Sequence, residues 1–250
     1  PIMYFVLYGK KYFQIRNAFF RLAPVSLVLG KRSCSEYFPL AIGSAIYRFL
    51  ILVSLPCMEI SHISVAGKKF QIRKVKDVDA LFDEYIVAKG GNANEEQIPY
   101  WAELWPAAIG LAEFISEHPD LIKGKVVHEI ACGLGLPGIV AGSLGAKTVI
   151  FSEHLPEPLE WACSNWKLNL EGVPETHLCD FSKEVIPNDA ELILASDIAY
   201  EKRLFPILQR LFLNLHSKAD ILFSEPSREL AKELIPLLKK SGLPIRSHLR

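Results

Sequence analysis

The sequence predicts an α/β protein, a doubly wound parallel sheet with helices on both faces, and three observations carry that prediction. From about residue 125 onward, short apolar runs alternate with helical spacings across short gaps, the pattern of strands joined by crossover helices. Runs such as "LILA" (192–195) are apolar without interruption, as strands covered on both faces are. Between the first such strand and its helix lies "HEIACGLGLPG" (128–138), which sets Gly133, Gly135 and Gly138 in a G-x-G-x-x-G spacing. Glycines in that spacing let the backbone turn tightly and approach a ligand beside a helix N-terminus.

The elements follow in order. Residues 1–57 hold eleven Phe or Tyr and carry a net charge of +6, which leaves −6 on the remainder of a chain that is neutral overall. The run "AIYRFLILVSLP" (45–56) is interrupted by Arg48 and falls short of the ~20 apolar residues that a membrane helix needs. It also lacks the flanks of a signal peptide. The chain opens on Pro1, and an orderly pattern begins at Met58, so residues 1–57 are read as an extension outside the functional protein, with an N-terminal anchor as the second reading. "EISHISVAGKKFQIRKV" alternates about Ala66-Gly67-Lys68 and predicts a β-hairpin. Residues 77–88 are spaced as a helix, and "KGGNANEEQ" (89–97) is a polar loop. A further helix is expected from Pro106, a residue suited to the first helical position, to about Glu117.

Strands are then expected at 125–131, 147–151, 175–180, 190–196 and 219–224, with helices at 137–144, 156–170, 201–216 and 226–240. The organisation is thus 1–57 as extension, 58–97 as hairpin and helix, and 98–250 as the α/β domain. The five cysteines (Cys34, Cys57, Cys132, Cys163, Cys179) form no C-x-x-C pair, which argues against a disulfide framework or a zinc site. A reducing, cytoplasmic setting is expected.

The glycine motif alone fits NAD and S-adenosylmethionine equally. Glu153 closes the next strand, "TVIFSE", twenty residues after Gly133, where a carboxylate can accept from ribose hydroxyls. Three features separate the two cofactors. Glu129, inside the first strand, would repel a pyrophosphate but suits the ammonium and sulfonium of S-adenosylmethionine. The helix after "YWAELWP" precedes the first strand, whereas many dinucleotide folds begin at that strand. Asp180 and Phe181, in "HLCDF", offer an acceptor for an adenine amino group and a ring to lie against it. The methyl donor is the reading these features favour.

Residues 98–240 resemble the class I, seven-strand S-adenosylmethionine-dependent methyltransferases. Within them they resemble the family that includes the protein-lysine methyltransferases of electron transfer flavoprotein and of valosin-containing protein. The likeness rests on "WAELWPAAIGLAEFI" (101–115), "HEIACGLGLPGIVA" (128–141), "CDF" (179–181) and "ASDIAYEKRLFPIL" (195–208). It implies a Rossmann-like methyltransferase sheet in which Glu129, Gly133 and Gly135 form the amino-acid side of the cofactor pocket. It further implies Trp105 near the methionine end, Glu153 at the ribose, and Asp180 with Phe181 at the adenine. The alternative for Trp105 and Phe181 is that they are plain core aromatics.

Asp197 and Tyr200, in "DIAY", follow the fourth parallel strand at the place where the resemblance puts an Asp-x-x-Tyr beside the transferable methyl. Asp197 can accept an N–H of the attacking amine, and Tyr200 can wall it with an aromatic face; the alternative for Asp197 is an N-cap for helix 201–216. A protein lysine is the expected acceptor and a small amine the second. A nucleic acid is not expected, because the domain is net acidic and Ile198-Ala199 replace the prolines of base-modifying relatives. No membrane partner is expected unless residues 1–57 belong to the protein. Two other classes stay open, a Rossmann-type oxidoreductase and an inactive methyltransferase-like binding module. The family fold ends in a hairpin whose last strand inserts antiparallel between the fifth and sixth; here only "SGLPIRSHLR" remains after the last helix. The expectation is a truncated hairpin and an open edge beside the fifth strand.

Overall fold

The computed structural model describes residues 2–8, 57–88, 98–183, 189–216, 219–226 and 229–249. The polar loop at 89–97 and the apolar run at 45–56 lie outside them. The hairpin forms as the alternation requires, from β1's successor pair β2 (Met58–Val65) and β3 (Lys68–Val75), where β1 is the strand Met3–Tyr8. Its two-residue turn has Ala66 and Gly67 both at positive φ, 47° and 81°, the geometry that matches strand twist in tight hairpins. Helix α1 (Val78–Ala88) follows, then a 3-10 turn at Tyr100–Ala102 and α2 (Pro106–Glu117), which opens on its proline.

The α/β part runs β4 (Val126–Ile130), α3 (Leu136–Ser143), β5 (Thr148–Glu153), α4 (Pro156–Asn169), β6 (Glu175–Leu178) and β7 (Leu192–Ser196), then α5 (Phe205–His216), β8 (Asp220–Pro226), α6 (Glu229–Lys240) and β9 (Ile245–Leu249). The predicted strands and helices are all present, with ends displaced by a few residues. The helix expected at 201–216 begins as a 3-10 turn at Lys202–Leu204 before α5.

Seven strands form one sheet in the order β6-β5-β4-β7-β8-β1-β9, and every pairing is parallel. Side chains alternate between two cores. On one face Val127, Leu192, Leu194 and Leu222 pack beneath α2, α3, α4 and the hairpin. On the other, Ile130, Ile193, Ile221 and Phe223 pack beneath α5 and α6. The chain leaves β4 toward β5 and β6, then returns to place β7 on β4's other side. The reversal opens a crevice at the carboxyl ends of β4 and β7.

One expectation is corrected here. The edge beside the fifth parallel strand, β8, is not open, because β1 lies between β8 and β9 and pairs with both. The reason is in "MYFVLY": Met3 and Phe5 enter the α5/α6 core and Val6 enters the other, all fully buried. Each such side chain contributes about 1.5–3 kcal/mol on burial. Phe5 meets Phe223 edge-on at 5.1 Å, and the Ile2 amide donates to Asp220 Oδ1 at 2.6 Å. Where the family resemblance implied an antiparallel strand, this chain sets a parallel one drawn from the segment read as an extension.

Candidate functional site

The glycine loop crosses the crevice. Gly135, at φ +78°, caps α3 and has no side chain to satisfy the helix's first N–H groups. Glu129 does so instead: its Oε2 accepts the Gly138 N–H at 2.7 Å from beneath the helix. The approach is possible only because position 138 has no Cβ, which would lie 2.4 Å from Phe151 Cε1 and 2.7 Å from that same Oε2. From the end of β5, Glu153 Oε1 accepts the Gly133 N–H at 3.1 Å and Oε2 accepts the His154 N–H at 3.1 Å.

Two carboxyl groups, 1% and 6% exposed, therefore sit under one loop. Among the described residues no lysine or arginine pairs with either; the only basic partner is the His154 ring, at 3.2 Å from Glu153. Burial, against the Gly138 bond and with Glu153's charge adding, pushes the Glu129 pKa up to about 8. Burial and the same two acids push the Cys132 thiol well up. The hydrogen bond that the His154 ring donates to Glu153 holds the His154 pKa above its ordinary value. A cation placed over this loop would meet Glu153 and draw the proton from Glu129, whereas a pyrophosphate would gain nothing from either carboxyl group. The residues present thus fit an adenosyl sulfonium with its ammonium.

The lead "YWAELWP" covers this loop. The Trp101 backbone lies against Gly133, 3.4 Å from where its Cβ would stand. Trp105 N-caps α2 and donates its indole N–H to the Tyr100 carbonyl at 2.8 Å. Across the crevice, Asp197 follows β7 at φ +55°, and Ala131 follows β4 at +49°. Non-glycine residues rarely hold that conformation, and adjacent strand ends that do so mark a constrained site. The Asp197 N–H donates to the Ser224 carbonyl, and the Ala199 N–H donates to the buried Glu225 Oε1 at 2.8 Å. Tyr200, 38% exposed, faces Tyr100 at 5.9 Å between ring centroids. Tyr100 also contacts Trp105 at 6.2 Å and Phe82 of α1 at 5.5 Å.

Of the sequence-derived residues, Glu129, Gly133, Gly135 and Glu153 meet at the loop, Trp105 and Tyr200 each contact Tyr100, and Asp197 stands at the carboxyl end of β7. Asp197 is not the helix cap of the alternative reading, since Glu201 holds that position ahead of the Lys202 turn. Asp180 is turned into a local bend: Oδ1 accepts from the Ser182 amide at 2.9 Å and hydroxyl at 2.5 Å, and Oδ2 meets Lys183 Nζ at 2.7 Å. Burial raises its pKa, but the Lys183 and Ser182 bonds outweigh it and the net shift is downward. Phe181 is half-buried against the α5/α6 core. Missed in the sequence were Tyr100, Gly138 as the seat of Glu129, Glu225 and Asn165. For Gly138 the motif itself was the signal; Tyr100 stood inside the quoted lead.

A family model described as lysine methyltransferase matches residues 93–240. The histone-arginine methyltransferase METTL23 of Rattus norvegicus is 32% identical over 111 residues, 42% of this chain and 48% of that protein. The EEF1A lysine methyltransferase 3 of Mus musculus is 31% identical over 111 residues, 43% of this chain and 47% of that protein. The chain spans about half the length of these curated relatives. A solved ribosomal protein L11 methylase from Lactobacillus delbrueckii subsp. bulgaricus overlays with a TM-score of 0.44 at 22% identity, covering 54% of this chain and 68% of that one. With the family model matched over more than half its length, around the same loop and crevice, the chain belongs to the lysine methyltransferase family, whose methyl donor is S-adenosylmethionine.

Proposed function

We propose that this chain is an S-adenosylmethionine-dependent N-methyltransferase acting on a protein lysine. The observation that carries the reading is the pairing, at one sheet reversal, of a glycine loop over two buried carboxyl groups with the constrained Asp197–Tyr200 turn. In this reading Glu129, Gly133, Gly135 and Glu153 hold the cofactor's amino-acid and ribose portions, and Trp105 covers its methionine end. Asp180 and Phe181 border the adenine. The bound cofactor supplies an electrophilic methyl group on a sulfonium.

The chain's own residues prepare the acceptor. Asp197 accepts an N–H of the amine and directs its lone pair into the crevice. A lysine, with an ordinary pKa of ~10.4, must first lose a proton. Asp197's charge alone would favour the ammonium, so desolvation between the Tyr100 and Tyr200 rings has to outweigh it. Rate then comes mainly from in-line positioning. The relatives' names include both lysine and histone-arginine methyltransferases, so an arginine guanidinium is the second acceptor class.

The test is transfer of labelled methyl to lysine and arginine peptides, with mass-spectrometric assignment of the modified side chain. Asp197→Ala is expected to lower transfer at least about a hundredfold while changing S-adenosylhomocysteine affinity less than about twofold. Undiminished turnover in that variant would remove Asp197 from the acceptor site.

A further inference from the structure

Helix α4 carries two asparagines one turn apart, Asn165 and Asn169, and both face the outer edge of β3. Asn169 Oδ1 accepts the Gln71 N–H at 2.8 Å, and its Nδ2 donates to the Gln71 carbonyl at 2.7 Å and to the Asn165 carbonyl at 2.7 Å. Asn165 repeats the first half of this pattern two residues along the strand. Its Oδ1 accepts the Arg73 N–H at 2.8 Å, and its Nδ2 donates to the Arg73 carbonyl at 3.2 Å. Together the two carboxamides satisfy the hairpin's edge as a neighbouring strand would.

Asn165 does one thing that Asn169 does not. Its remaining amide hydrogen goes to the Leu134 carbonyl at 3.0 Å. Leu134 stands between Gly133 and Gly135 and is buried, as Asn165 is. The Leu134–Gly135 peptide is thereby held at both ends, because the Gly135 N–H donates to the Cys132 carbonyl at 2.8 Å. Peptide planarity means that fixing the carbonyl fixes the direction of the following amide. The glycines of this loop would otherwise leave that plane free to rotate. An asparagine side chain has one acceptor oxygen and two amide hydrogens, and here all three are committed.

We propose that Asn165 is a positioning residue for the cofactor loop, tying its Leu134–Gly135 peptide to the hairpin so that hairpin docking and cofactor affinity are linked. The inference rests on the glycine loop being the cofactor site. Linkage is reciprocal: a docked hairpin holds the loop in its binding geometry, and bound cofactor tightens the hairpin's edge at Arg73.

Asn169 is the control, since it grips the same strand without touching the loop. S-adenosylhomocysteine titrated by calorimetry into the full chain and two variants separates the roles. Asn165→Ala is expected to weaken binding about tenfold, the scale of one buried carbonyl left without its donor. Asn169→Ala is expected to change it less than about twofold, although both variants speed hydrogen exchange in Lys68–Val75. Equal losses in the two variants, or an unchanged affinity in Asn165→Ala, would overturn the proposal. Should Asn165→Ala fail to fold, exchange in the wild-type chain decides the matter. Saturating S-adenosylhomocysteine is expected to slow the Arg73 amide more than the Gln71 amide, and equal slowing would overturn the linkage. If the folded wild-type chain binds no S-adenosylhomocysteine, the cofactor-site reading fails first and this inference falls with it, an outcome distinct from the variant results.

Discussion

Glu129 shows how a single residue changes meaning once its surroundings are known. Its position in the motif marks it as an anion ready for a cation, but burial holds its pKa near 8, so at neutral pH the free chain carries it mostly protonated. A cation placed over the loop would draw that proton off. Binding of S-adenosylmethionine near pH 7 is therefore expected to release a proton and to tighten as pH rises from roughly 6 to 8. Titration in two buffers of different ionisation enthalpy measures the release, and Glu129→Gln should abolish it; binding with no proton released would contradict the assignment. The sign for stability is the opposite. Between the ordinary value of 4.5 and about 8 the folded chain keeps a proton that the unfolded chain has lost, so the cofactor-free chain loses stability as pH rises through that window. None of this was readable from spacing, because spacing does not report desolvation.

At the scale of elements, the strand–loop–helix unit depends on a contact that only glycine allows. Gly138→Ala would press a methyl group into Phe151 and into Glu129's acceptor oxygen. The expected cost is about 1–3 kcal/mol of stability, read as a lower urea midpoint, with weaker cofactor binding because Glu129 is displaced. A midpoint unchanged from wild type would mean that α3 shifts freely off β4. The order of elements was legible in advance because many carry a local signal: the Ala66-Gly67 turn between alternating runs, the proline at the start of α2, continuous apolar strands. The glycine loop and the turn after β7 were legible for the same reason. The Asn165–Leu134 bond was not, since it joins residues 31 apart that meet only when α4, the hairpin and the loop are packed together. The Asp180 bend was equally hidden, because "CDF" does not say that Ser182 and Lys183 will claim the carboxylate.

For the whole molecule, the least expected feature is β1. Its pairing with β8 joins residues 218 apart, and no local pattern announces a partner so distant. Nothing else in the described sheet fills that place between β8 and β9. Removing residues 1–57 should therefore bare the apolar surfaces that Met3, Phe5 and Val6 cover, lowering the thermal midpoint by several degrees and promoting association through the freed edges. Scanning calorimetry and light scattering on residues 1–250 and 58–250 decide this. Equal midpoints, with both chains monomeric, would mean that β1 adds nothing to the stability of the sheet.

The sheet reversal brings the loop and the Asp197 turn together, and the account's central claim is that S-adenosylmethionine binds there. Calorimetric titration of the folded chain with S-adenosylmethionine, S-adenosylhomocysteine and NAD in parallel tests it most directly. The account predicts that both adenosyl-sulfur compounds bind one per chain and that NAD gives no heat of binding. NAD binding in their place, or a folded chain that binds none of the three, would contradict it.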